Sequence, residues 1–192
     1  YYCLIMICMP LIFEMDTVLM LWLKSTDSQT ILFARLVLIY ALIMSLNNPI
    51  SIIIQATGKI KSYSVWVEIP TLLSVPATYM FFKLGYPAYS TFVVIIVAAI
   101  IAHIIRLICL KKNYNSFDFI VYMKNFILPA IFITFIVVLL GYLFHISILN
   151  SLVRLGVIVF ISVLFTLLFV FLLGLSADER RMLKALITRA RK

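Results

Sequence analysis

From Leu155 to Ala177 the chain carries no charged residue. Coiled as an α-helix at 1.5 Å per residue, that run reaches about 33 Å, enough to cross a bilayer core about 30 Å thick. Lipid offers no hydrogen bonds, so a spanning segment must satisfy its backbone internally, as a helix, or within a closed barrel. Barrel strands alternate polar and apolar residues, and this run does not. Five further apolar runs precede it: up to about Leu23, then Ile31–Gln55, Ser64–Leu84, Ser90–Leu110 and Phe126–Phe144. Hydrophobic residues make up 65% of the chain and charged ones 12%, against roughly 45–50% and about 25% in soluble domains. The expected fold is therefore all-α, a polytopic transmembrane bundle of about six spans.

The runs are not uniform. The first contains Pro10, Glu14 and Asp16. The second is about 37 Å long as a helix, so it must tilt or bend at Pro49, which follows Asn47 and Asn48. Organisation follows from these runs: four spans over residues 1–110, a basic loop over 111–125, two further spans over 126–175 and an amphipathic basic tail over 176–192. The chain opens Tyr1-Tyr2-Cys3 already within an apolar run and without a basic leader, which is not a signal peptide. The expectation is a segment of a longer chain.

Charge sets the expected orientation. The net charge is +9, from 16 Lys and Arg against 7 Asp and Glu. Lys59, Lys61, Arg106, Lys111, Lys112, Lys124 and the tail cations Arg180, Arg181, Lys184, Arg189, Arg191 and Lys192 all fall on one side of the alternating spans. Lys24, Lys83 and Arg154 fall on the other, and Arg35 lies within a span. Basic loops stay cytoplasmic, which places the C-terminus in the cytoplasm and the protein, multi-pass, in the cytoplasmic (inner) membrane. The positive charge is then explained by the membrane surface and not by nucleic acid. In the tail, Ser176-Ala177-Asp178-Glu179 reads as a capping box. Met182, Leu183, Leu186 and Ile187 follow on one face, the pattern of a helix lying on anionic lipid. Asn113–Lys124 has a weaker version of the same pattern.

No constellation for catalysis or metal binding is present. The chain has no His-x-x-x-His, Cys-x-x-Cys, Gly-x-Ser-x-Gly or Gly-rich phosphate loop, and no cofactor is expected. Cys3, Cys8 and Cys109 read as small apolar side chains. The informative residues are polar groups inside spans, which are costly in lipid and face a protein interior or a hydrated cavity. Arg35, Asn47, Asn48, His103 and Arg106 are the candidate cavity residues. Glu68 and Arg106 lie at matched depth on consecutive antiparallel spans and are an expected ion pair. Arg35 is expected to meet Glu14 or Asp16. Against these stand simple snorkelling of the arginines and a structural kink at Pro49.

Three stretches resemble one family. A Pro-containing span ends Leu21-Trp22-Leu23-Lys24, where that family typically has Leu-Trp-Leu-Gly. Asn48-Pro49 leads into Gln55-Ala56-Thr57-Gly58-Lys59, close to the family's Ala-Thr-Gly-Lys loop. Leu173-Gly174-Leu175-Ser176-Ala177-Asp178-Glu179-Arg180 resembles its ending. The family is the Wzx-type polysaccharide-biosynthesis (O-antigen/oligosaccharide) flippases, within the multidrug/oligosaccharidyl-lipid/polysaccharide exporter superfamily. The resemblance implies the C-terminal part of a two-lobe exporter whose N-terminal lobe is missing here. It also implies alternating access and a polyprenyl-pyrophosphate-linked oligosaccharide as substrate. A drug/cation antiporter of the same superfamily, a membrane-embedded glycan polymerase or acyltransferase, and a membrane scaffold remain as alternatives.

Overall fold

The computed structural model describes residues 1–24, 27–56, 60–113 and 117–174. Among these the chain is almost wholly helical, without strands. The helices are α1 (Tyr2–Phe13), α2 (Met15–Leu23), α3 (Ser28–Ala56), α4 (Ile60–Lys83), α5 (Ser90–Asn113), α6 (Phe119–Tyr122), α7 (Leu128–Ser147) and α8 (Ser151–Phe169). A π-type turn over Met123–Ile127 joins α6 to α7, so Phe119–Ser147 is one helical rod. Five helices are long and apolar enough to cross a membrane, and α1 with α2 forms a sixth candidate bent by 78°. The chain is thus a multi-pass helical membrane protein.

The first two spans differ in continuity. The first span is not continuous, because it breaks at Glu14, the residue between α1 and α2. In the second span α3 remains helical across Asn47-Asn48-Pro49. Proline there only deprives the Ser45 carbonyl of its intrahelical donor. The proposed lipid-lying tail and the Thr57-Gly58-Lys59 motif fall outside the described residues.

Two compact units form. One holds Tyr1 and Leu11–Phe119, and the other gathers Tyr2–Pro10 with the described residues from Ile120 to Gly174. The first span is therefore divided between the units near its break.

In the first unit α5 packs on both α3 and α4. Ala98, Ala99 and Ala102 are buried along α5, and small side chains of this kind let membrane helices approach closely. Ile50 and Ile54 of α3, Val67 of α4 and Leu107 and Leu110 of α5 complete this core. The turn between α4 and α5 closes through Gly85 at φ +84, a left-handed position that suits glycine. Its neighbours donate backward, Leu84 N–H to the Met80 carbonyl and Tyr86 N–H to that of Phe81. This tight turn sets α4 and α5 antiparallel.

In the second unit α7 packs on α8. Ala130, Ile133, Val137 and Gly141 form a buried stripe on α7, and Ile158, Ser162 and Thr166 form one on α8. The Asn150 side chain accepts from the Leu152 and Val153 N–H groups and starts α8, the usual work of an N-cap asparagine.

Candidate functional site

The polar residues of the first unit converge where α3, α4 and α5 meet. Asn47 and Ser51 are one helical turn apart and share a face of α3. Asn47 is fully buried. Asn48, offset by about 100°, lies on the exposed face, so of the two asparagines only Asn47 belongs to the site. On α5, His103 and Arg106 are three residues apart and also share a face.

The contacts form a chain. The Arg106 Nε–H points at both the Ser51 Oγ, at 3.1 Å, and the Tyr63 hydroxyl, at 3.3 Å. The Tyr63 hydroxyl donates to Ser51 Oγ at 2.9 Å. Ser51 in turn donates to the Asn47 carbonyl at 3.1 Å. One turn deeper, His103 Nδ1 lies 2.7 Å from Asn47 Oδ1. An amide oxygen can only accept, so the imidazole carries a proton on Nδ1. The Asn47 amide nitrogen donates to Met44 Sδ at 3.4 Å. Three spans are therefore tied by two polar layers. Arg106, Ser51 and Tyr63 form the layer nearer the helix ends, and His103 with Asn47 forms the inner one.

Tyr63 had no signal in the sequence, because it reads as one of several aromatics near a loop. It is nevertheless 5% exposed and central to the site. It also explains why the expected Glu68–Arg106 pair does not form. Tyr63 fixes which face of α4 meets α5, and Glu68, five residues on, is rotated from it by about 140°. Glu68 is exposed, and Arg106 bonds hydroxyls instead. Its Nη1 is buried without a partner, and among the described residues no carboxylate pairs with it.

The second expected pair does form. Arg35 Nη2 lies 3.4 Å from Asp16 Oδ1 and also donates to the Phe13 carbonyl at 3.4 Å. Arg35 therefore caps the open end of α1 at its break while holding the first turn of α2. The other carboxyl expected near Arg35 is that of Glu14. It is fully buried at the break and accepts from the Thr17 hydroxyl at 2.9 Å.

No three His, Cys, Asp or Glu side chains among the described residues are grouped to hold a metal ion. The cluster offers hydrogen-bond donors and a positive charge within a membrane-spanning bundle. Such a set can recognise an anion or a polar head group, and no nucleophile in it is paired with a base. The fold and this site define a multi-pass helical membrane protein with a polar, cationic interior cluster. Comparison of the chain with protein-family models, characterised proteins and solved structures finds no match.

Proposed function

We propose that the chain is part of a translocator that moves a lipid-linked oligosaccharide, carried on polyprenyl pyrophosphate, across the cytoplasmic membrane by alternating access. The observation that carries this reading is Arg106. It is a guanidinium within a span, held by the neutral partners Ser51 and Tyr63 and, among the described residues, by no carboxylate. A cation kept at that depth without a counter-ion suits an anionic cargo, since guanidinium and phosphate make strong charge-assisted hydrogen bonds. Flipping breaks no bond, so it requires no nucleophile or cofactor. It requires a hydrated path and two arrangements of the helices. The motif resemblance at Leu21–Lys24 and Gln55–Lys59 supports the same reading, in which this chain is one portion of a longer exporter.

The test is deletion of the gene with the lipid-linked glycan followed directly. Repeat units should accumulate on the cytoplasmic face, surface polysaccharide should be lost, and Arg106→Gln should reproduce the loss where Arg106→Lys partly restores export. Orientation is tested in the same strain background. Single cysteines at Pro87 and Asn150 should react with an impermeant thiol reagent from outside, and one at Lys112 should not.

A drug/cation antiporter is favoured by one observation, the fully buried carboxyl of Glu14 at a helix break. Normal surface glycan with new sensitivity to cationic drugs in the deletion strain would establish that reading in place of the first.

A further inference from the structure

Asn47 Oδ1 accepts from His103 Nδ1 at 2.7 Å, so the neutral imidazole carries its proton on Nδ1 and its lone pair on Nε2. Asn47 is fully buried, and its amide nitrogen is directed to Met44 Sδ. Both ends of the amide are therefore placed, and the histidine tautomer with them. A further proton can enter only at Nε2, where it turns an acceptor into a donor.

Arg106 follows three residues later on the same face, with the two Cβ atoms about 5–6 Å apart. Ser51 and Tyr63 engage its Nε–H, and its buried Nη1 has no partner. Other ionisable groups stand back from His103. α3 and α4 are the helices packed on α5. α3 presents Asn47 and Ser51, while its Tyr40 and Arg35 lie about 10 Å and about 18 Å from Asn47 along the axis. α4 presents Tyr63, whereas its Glu68 and Tyr79 are exposed and Lys83 ends the helix. On α5 itself, Lys111 and Lys112 are exposed, and Cys109 is turned by about 120° from His103. Among the described residues no carboxylate pairs with His103.

A second positive charge beside Arg106 is therefore unfavourable unless an anion accompanies it. A unit charge about 6 Å away, at an effective dielectric constant near 20, changes a binding constant about a hundredfold. An anion seated at Arg106 and His103 reverses the sign. Proton and anion then favour each other by a similar factor, and the effect is reciprocal. A pyrophosphate diester is a dianion. Arg106 matches one of its charges and a protonated His103 the other, which removes the net charge that makes such a group costly inside a membrane.

We propose that the cluster takes up its anion together with a proton, which binds at His103 Nε2, and that Asn47 is the positioning residue that reserves this nitrogen. The proton comes from water on the side where the site is loaded. The inference rests on the reading of Arg106 as the partner of an anionic cargo and adds the group that meets the second phosphate charge.

P,P′-dimethyl pyrophosphate is a suitable probe, because a diester takes up no proton itself near neutral pH. Its binding to the full protein in detergent would be followed by titration calorimetry in buffers of different protonation enthalpy, which counts protons. A hundredfold coupling in the range where histidine titrates gives an uptake of about 0.7 proton per anion near pH 7. Affinity should fall about twentyfold from about pH 6 to about pH 8. His103→Asn keeps a donor towards Asn47 but takes no proton, so it should bind with no uptake and no pH dependence. Asn47→Asp sets a carboxylate against Nδ1 and keeps the ring charged without the anion, so uptake should again vanish. A purely structural role at either position would leave the proton count at its wild-type value. Wild-type binding without proton uptake overturns the inference and leaves Arg106 as an anion site. Uptake that survives His103→Asn overturns it too, since the proton then resides elsewhere, and so does failure to bind the diester. Proton uptake in a protein whose deletion leaves surface glycan intact would instead sink the oligosaccharide reading alone.

Discussion

His103 Nδ1 on α5 lies 2.7 Å from Asn47 Oδ1 on α3, deep in the first unit, with Asn47 fully buried. A hydrogen bond between membrane helices contributes about 0.6 kcal/mol on average and up to about 2. Removing one partner costs more than the bond, because the other is left buried and unsatisfied. Asn47→Ala and His103→Ala should each destabilise the protein by about 1–3 kcal/mol. The double variant should cost clearly less than their sum. Chemical or thermal unfolding in detergent checks this, and strict additivity would show that the two side chains do not interact.

Tyr63→Phe keeps the buried ring and deletes only the hydroxyl. That hydroxyl donates to Ser51 and accepts from Arg106. The expected loss is about 1 kcal/mol of stability, within the range for a single hydrogen bond. Because Arg106 then rests on Ser51 alone, crosslinking between cysteines on α4 and α5 at this end should become less uniform. Unchanged stability and crosslinking would remove Tyr63 from the site.

Arg35 offers an internal comparison. Its ion pair with Asp16 is about 37% and 46% exposed on the two sides, and exposed pairs contribute roughly 0–1 kcal/mol. The same guanidinium also caps the Phe13 carbonyl at the break between α1 and α2. Asp16→Asn should therefore be mild, while Arg35→Met should be distinctly worse. Equal effects of the two substitutions would show that the carbonyl contact contributes nothing.

Lys24 ends α2 with φ 56, in the left-handed region, its N–H donating to the Met20 carbonyl. This is the position at which a helix end favours glycine, and a non-glycine residue there costs about 1 kcal/mol. It is also the position where Leu21-Trp22-Leu23-Lys24 departs from the Leu-Trp-Leu-Gly pattern. Lys24→Gly should raise the thermal midpoint and Lys24→Val should lower it. The reverse order would contradict the backbone conformation.

The sequence alone determined the helical, membrane-spanning character of the chain. Uncharged runs such as Leu155–Ala177 admit only that solution, because lipid cannot satisfy an open backbone. It also singled out Arg35, Asn47, His103 and Arg106, since polar groups within apolar runs are costly wherever they point. Which of them meet was decided by the tertiary structure. A one-residue step turns a helical side chain by about 100°, so Asn47 enters the cluster and Asn48 faces outward. Matched depth brought Glu68 and Arg106 to one level. The rotation of α4, fixed by burying Tyr63 and Val67, turned Glu68 away and gave Arg106 hydroxyl partners instead. The break at Glu14 likewise escaped the hydropathy pattern, which records how apolar a run is and not where its axis bends. Depth and chemistry are properties of a single helix and can be read along it. Partners depend on how helices rotate against one another, and packing alone sets that.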